Sequence, residues 1–147
     1  LILVAAAGSL AMLLGAFAFQ YIGGLLPCVL CLWQRWPHAA AIVIGVLALT
    51  LGWRFLPWLG ALAAAATSAV GVYHTGIERH WWQGPTSCSS GPIDQMDASA
   101  LLDQILAAPI VRCDEVAWAL GGISMASWNA ILSAGLAVVW VLAARRG

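Results

Sequence analysis

Four stretches of this chain carry no charged side chain: Leu1 to Gln34, Trp36 to Trp53, Phe55 to Ile77 and Val116 to Ala144. A bilayer core of about 30 Å takes roughly 20 helical residues per crossing, so each stretch can supply one transmembrane helix. With 63% hydrophobic and 8% charged residues in 147, the chain holds more apolar surface than a soluble fold of this size can bury. These features predict an all-α membrane protein, residues 1–147 forming a single domain built as a four-transmembrane-helix bundle. All six acidic residues fall between Glu78 and Glu115, so that segment is expected to be a solvated loop. The chain opens at Leu1 without a Met, and its leading apolar stretch is too long and lacks the basic start of a cleaved signal peptide.

Gly23, Gly24 and Pro27 interrupt the first stretch, and Gly52 with Arg54 separates the second from the third. The expected spans are about 1–21, 32–51, 55–73 and 125–144, with a short first connection of about 22–31 and a long third one of about 74–121. Four crossings place the first and third connections on one side of the membrane. Cys28 and Cys31 lie in the first, Cys88 and Cys113 in the third, so all four cysteines face the same compartment. Arginine counts barely distinguish the two sides: Arg54, Arg145 and Arg146 stand against Arg79, Arg112 and Arg35. Cysteine usage decides, because disulfides persist in an oxidising compartment and not in the cytosol.

Inside the long connection, Leu101, Leu102, Ile105 and Leu106 share one side of a short helix that Asp97 or Ser99 would cap and Pro109 would end. Such a stripe suits the headgroup boundary; packing on neighbouring loop residues is the alternative. Trp33, Trp36, Trp53, Trp58, Trp118, Trp128 and Trp140 flank the span ends, as an interfacial aromatic belt does. There is no Lys and the six Arg are scattered, so no nucleic-acid footprint exists.

Pro27-Cys28-Val29-Leu30-Cys31 is a C-x-x-C at a helix start, where the helix N-terminus stabilises a thiolate. The motif also supplies half of a zinc site, but Cys88 and Cys113 are too far apart in sequence to form a second knuckle, and no metal is expected. Two buried apolar cysteines would be the plainest reading. Cys88 sits among Gly84-Pro85-Thr86-Ser87 and Ser89-Ser90-Gly91-Pro92, an expected flexible and exposed setting suited to attack by another protein's thiolate. For Cys88 and Cys113 a structural disulfide is an equal reading taken alone. A C-x-x-C on the same membrane face tips the balance, since dithiol pairs that meet can exchange disulfides through mixed intermediates.

Taken together, Cys28-Val29-Leu30-Cys31-Leu32-Trp33-Gln34-Arg35, Gly84-Pro85 through Cys88, and Cys113-Asp114-Glu115 followed by Trp118, Gly121 and Trp128 resemble the DsbB family of disulfide bond formation proteins over nearly the whole chain. That resemblance implies an inner-membrane enzyme facing the periplasm that reoxidises a DsbA-like thioredoxin-fold partner and passes electrons to ubiquinone or menaquinone. It further implies that Cys88 forms the mixed disulfide with the partner, that Cys113 is its mate and passes electrons to Cys28, and that Cys31 faces the quinone with Arg35 beside it. Gln34 stands where some members carry an acidic residue. His74 and His80 are expected to be interfacial polar residues without a redox role. A DsbA-type couple near −120 mV is too oxidising for a glutathione-like pool to accept its electrons, whereas a lipid-soluble oxidant can. The chain has no G-x-G-x-x-G and too little soluble mass for a flavin or nicotinamide fold.

Two other readings fit the same pattern in part. A vitamin K epoxide reductase-like enzyme also joins four helices, a C-x-x-C and a loop pair, but there the loop pair comes first. A non-catalytic tetraspan protein with a structural loop disulfide would leave Cys28 and Cys31 without a task.

Overall fold

The computed structural model describes residues 1–89, 97–107 and 111–146. Among these, α1 (Ile2–Tyr21), α2 (Val29–Leu51), α3 (Leu56–Glu78) and α5 (Met125–Arg146) are each long and apolar enough to cross a bilayer. The third connection adds a short helix, α4 (Ala98–Ala107), and a hairpin of β1 (Ala119–Leu120) with β2 (Ile123–Ser124). The hairpin is not anticipated from sequence. Its turn is Gly121-Gly122, with φ of 62° and 77°, the left-handed pair that a two-residue hairpin turn requires.

The helix boundaries shift in ways that matter for the site. Instead of starting near Leu32, α2 starts at Val29, which puts the C-x-x-C at a helix start as its sequence setting predicts and takes Cys31 into the first turn. Cys28 is its N-cap, extended at φ −78° and ψ 172°, and its Sγ accepts from the Cys31 N–H at 3.3 Å. Likewise α3 does not end near Tyr73 but runs to Glu78. It stops in a Schellman turn: the His80 N–H donates to the Ile77 carbonyl at 3.0 Å and the Trp81 N–H to the Gly76 carbonyl at 2.9 Å. His80 occupies the left-handed position of that turn at φ 58°. Asp97 caps α4 by accepting from the Ala100 N–H at 2.8 Å, as expected, while Pro109 lies outside the described residues. The Ala100 and Ser99 donors hold the Asp97 carboxyl below the usual carboxylate range.

The bundle is held together by α3 against α5 and α2, with α1 packed mainly on α2. Trp140 corrects the expected belt: it is fully buried at the heart of the bundle, packed with Ala5, Ala6, Ala61 and Ala64. Space for its indole comes from Gly60, where a Cβ would fall within 2.6–2.7 Å of three ring atoms. Trp33, Trp36, Trp53 and Trp58 are exposed, as a belt requires. Polar side chains tie the helices in register: the Thr67 hydroxyl donates to the Gln34 carbonyl at 3.1 Å, Asn129 Nδ2 to Thr67 Oγ1 at 3.2 Å, and His38 Nε2 lies 3.0 Å from Asn129 Oδ1. Each such bond is worth on the order of 0.6–2 kcal/mol in a membrane bundle.

Gly60→Ala drives a methyl into the Trp140 ring and should destabilise the bundle by about 1–3 kcal/mol. Gly135 on α5 has nothing within 4 Å of its would-be Cβ, so Gly135→Ala should gain up to about 1 kcal/mol of helix propensity. Thermal unfolding in detergent compares them. Equal midpoints would remove Gly60 and Trp140 from the packing account.

Candidate active site

Cys88 and Cys113 are joined in a disulfide with Cα atoms 5.2 Å apart, and the Cys113 N–H donates to the Cys88 carbonyl at 2.6 Å. The exposed setting expected for Cys88 is not observed: both cysteines are fully buried. A tight turn, in which the N–H groups of Cys88 and Ser89 both donate to the Pro85 carbonyl at 3.0 Å, presses Cys88 onto Leu30, Ile77 and Cys28. Gly and Pro shape a compact turn here. Ser90, Gly91 and Pro92, which complete the sequence argument for exposure, lie outside the described residues.

Cys28 and Cys31 are free thiols whose sulfurs lie 2.8 Å apart. The Cys31 sulfur beside it, and then burial, push the Cys28 thiol above its ordinary pKa. Cys28 Sγ, Cys113 Sγ and a ring nitrogen of His74 all fall within 4.8 Å of one another. The two cysteine pairs therefore meet, although they arise from the entrance of α2 and from a loop remote in sequence. A thiolate at one pair is within a small side-chain movement of a sulfur in the other, the geometry that disulfide exchange needs.

His74 belongs to this cluster, which corrects its expected interfacial role. It is buried, its Nε2 lies 3.7 Å from Cys28 Sγ and its Nδ1 3.0 Å from Gln34 Nε2. One turn on, Glu78 Oε1 is 3.9 Å from His74 Nε2, and the Ser124 hydroxyl donates to Glu78 Oε2. Ser124, Ser127 and Thr75 continue the chain of hydroxyls at 3.0 Å steps. The signal for His74 and Glu78 was present: an ionisable pair at i and i+4 in an otherwise apolar helix marks a functional site more often than not. His80, by contrast, is exposed.

Beside the cysteines a cavity of about 250 Å³ is lined by Cys28, Cys31, Arg35, His38, His74 and Trp118, among mainly apolar neighbours from α1 and α5. Arg35 lies one turn beyond Cys31, as the spacing predicts. Its Nη1 donates to Gln20 Oε1 at 2.7 Å, and its guanidinium stacks over the Phe17 ring at 4.8 Å. Its Nε, and Nδ1 of His38, are buried without a hydrogen-bond partner. His38 escaped the sequence reading although Cys31, Arg35 and His38 form a stripe at i, i+4 and i+7. On the other side of Cys113, Arg112 pairs with Asp114 at 2.6 Å and Glu115 at 3.4 Å.

Comparison with known proteins identifies the company this site keeps. A family profile described as "Disulfide bond formation protein DsbB" matches residues 1–143. Disulfide bond formation protein B 2 of Pseudomonas aeruginosa is 31% identical over 134 residues, covering 86% of this chain and 79% of the relative. Disulfide bond formation protein B of a Shewanella species is 26% identical over 151 residues, covering 95% and 83%, and that of Aeromonas salmonicida is 28% identical over 144 residues, covering 93% and 82%. No solved structure matches the chain.

With Cys31 and Cys88 both replaced by Ser, mild oxidation should form a Cys28–Cys113 disulfide within most chains, because those sulfurs lie within 4.8 Å. Peptide mass mapping without reduction detects it. Failure of that crosslink while the chain stays folded would mean that the two pairs do not meet.

Proposed function

Because the chain belongs to the DsbB family of disulfide bond formation proteins, we propose that it is a thiol:quinone oxidoreductase that reoxidises a periplasmic DsbA-like dithiol protein. Disulfide bond formation is its function and the inner membrane, crossed several times, its location. The observation that carries the finer reading is the approach of Cys28 to Cys113 beside a cavity lined by Cys31 and Arg35.

In the proposed sequence a thiolate of the partner attacks the Cys88 sulfur, and Cys113 leaves as a thiolate. The partner's second thiol resolves the mixed disulfide, so the partner gains a disulfide and Cys88 becomes a thiol. Since Cys88 is buried, docking must first lift the turn that begins at Pro85. Cys113 next attacks Cys28 of an oxidised Cys28–Cys31 pair, and Cys31 leaves as a thiolate. Cys88 then attacks Cys113, restoring the loop disulfide and leaving Cys28 and Cys31 reduced, the form in which both stand here. His74 Nε2, 3.7 Å from Cys28 Sγ, exchanges the proton, with Glu78 behind it.

A bound ubiquinone or menaquinone supplies a lipid-soluble acceptor for the two electrons and two protons. The residues fit such a ring: a cavity of roughly 150 Å³ already admits benzene, and this one is larger and apolar. Arg35 Nε and His38 Nδ1 are buried polar atoms in need of partners, and a carbonyl oxygen would satisfy Arg35. Arg35 is anchored through Gln20, so it holds its charge at a fixed place beside Cys31.

Arg35→Ala should raise the Michaelis constant for quinone roughly tenfold or more, the loss of a hydrogen bond from a charged donor, while leaving oxidation of the partner by Cys88 largely intact. Arg35→Lys keeps the charge without the planar fork and should be intermediate. Steady-state kinetics with a soluble quinone measure both; unchanged quinone kinetics in Arg35→Ala would make Arg35 a membrane anchor only. Orientation is tested separately. After reduction, a membrane-impermeant thiol reagent should label Cys88 in intact spheroplasts, and labelling only after lysis would reverse the proposed topology.

A further inference from the structure

Three soft donors from separate elements converge behind the C-x-x-C: Cys28 Sγ at the cap of α2, a His74 ring nitrogen on α3, and Cys113 Sγ in the connection before β1. All three side chains are buried. Zinc donors need not form a second knuckle close in the chain, because the fold can assemble them from separate elements. A tetrahedral zinc ion, about 2.3 Å from sulfur and about 2.0 Å from nitrogen, holds its donors roughly 3.5–3.8 Å apart. The observed set, within 4.8 Å, needs only a small contraction to meet that geometry.

With Cys113 bonded to Cys88 the third donor is withheld, so the oxidised chain offers no complete set. We propose that reduction of the Cys88–Cys113 disulfide converts this cluster into a zinc site, with Cys28, Cys113 and His74 as ligands and a fourth position left to water or Cys31. Two electrons from a dithiol convert the disulfide into two thiols, and the dithiol becomes a disulfide. Zn²⁺ then replaces the protons of Cys28 and Cys113, releasing two protons with no further redox change. Two thiolates cancel the charge of the ion, so the occupied site adds no net charge to a buried region.

Gln34 supplies the support that metal-bound histidines use. Its side-chain amide lies 3.0 Å from His74 Nδ1. With the amide oxygen turned to the ring, Nδ1–H donates to it and the Nε2 lone pair faces Cys28, which is the ligating tautomer. The consequence is a lock on the fully reduced protein. Zinc holds one sulfur from each pair, so disulfide exchange between the pairs stops until an oxidant of either pair expels the ion.

The test uses the full chain in detergent, reduced with a phosphine and free of quinone. Co²⁺ serves as the spectroscopic probe, and Zn²⁺ is titrated against a chromophoric chelator. The expected result is one equivalent of ion, with thiolate-to-cobalt charge-transfer absorption, bound by the reduced chain and not by the chain with Cys88–Cys113 intact. Cys113→Ser should abolish binding, His74→Ala should weaken it at least tenfold, and Cys88→Ser should retain it. In the unmutated reduced protein, added zinc should slow alkylation of Cys28 and Cys113 relative to the zinc-free chain while leaving the rate at Cys88 unchanged, a readout that needs no variant to fold. Equal binding by the oxidised chain, full affinity in His74→Ala, or shielding of Cys88 in place of Cys113 would overturn the site. Because the readout is metal binding, failure of quinone turnover would leave this result unaffected.

Discussion

Inside a bilayer no water is available to satisfy a polar side chain, so one that enters is costly until a protein group bonds it. This chain buries Gln34, His38, Thr67, His74, Asn129 and Ser133 between its helices. Their bonds run from α2 to α3 and from both to α5, and they fix the register of the bundle more closely than its small apolar residues can. The same requirement sets where the chemistry sits. Gln34 holds His74, His74 borders Cys28, and Cys28 borders Cys113. Loop and membrane core therefore meet at one buried cluster and do not act as independent layers.

In the proposed relay the loop disulfide faces two demands that pull in opposite directions. To exchange with Cys28 it must lie against the end of α2, and it does so at the cost of solvent access. To exchange with a soluble dithiol it must be reached from outside. Within the turn from Pro85 to Ser89 two backbone N–H groups and one hydroxyl donate to the Pro85 carbonyl, and the Cys113 N–H and the disulfide tie Cys88 to the neighbouring segment of chain, a small set of hydrogen bonds that docking can exchange for intermolecular contacts. Arg112, paired with Asp114 and Glu115 at the surface, adds a charged rim next to Cys113 worth little in stability.

Much of this was legible in the sequence. Charge-free stretches revealed the four spans, and counting them put all four cysteines at one end. The Asp97 cap and the apolar stripe of α4 followed from local pattern, with Leu102, Ile105 and Leu106 left exposed on that helix. Interior polar groups are harder to place, because a polar residue late in an apolar run marks the exit of a span as readily as a buried contact between helices. Thus the sequence places the end of α3 near Tyr73, whereas the helix continues through His74 to Glu78. Trp140 reads as a belt residue from its place near a span end; only the gap left by Gly60, distant in sequence, reveals it as core. Burial of Cys88 depends on Ile77 and Leu30, contacts that no local window contains.

In the proposed relay electrons cross from the loop pair to the C-x-x-C and leave through the membrane. A single-turnover mixing of the purified protein with one equivalent of a reduced thioredoxin-fold dithiol and a soluble quinone, followed by quinone absorbance and by the redox state of the dithiol, measures this directly. One quinone should be consumed per dithiol oxidised, and in Cys28→Ala the dithiol should still be oxidised once by the loop pair while quinone absorbance stays constant. Quinone consumption that persists at full rate in Cys28→Ala, or none in the unmodified chain, would contradict the relay.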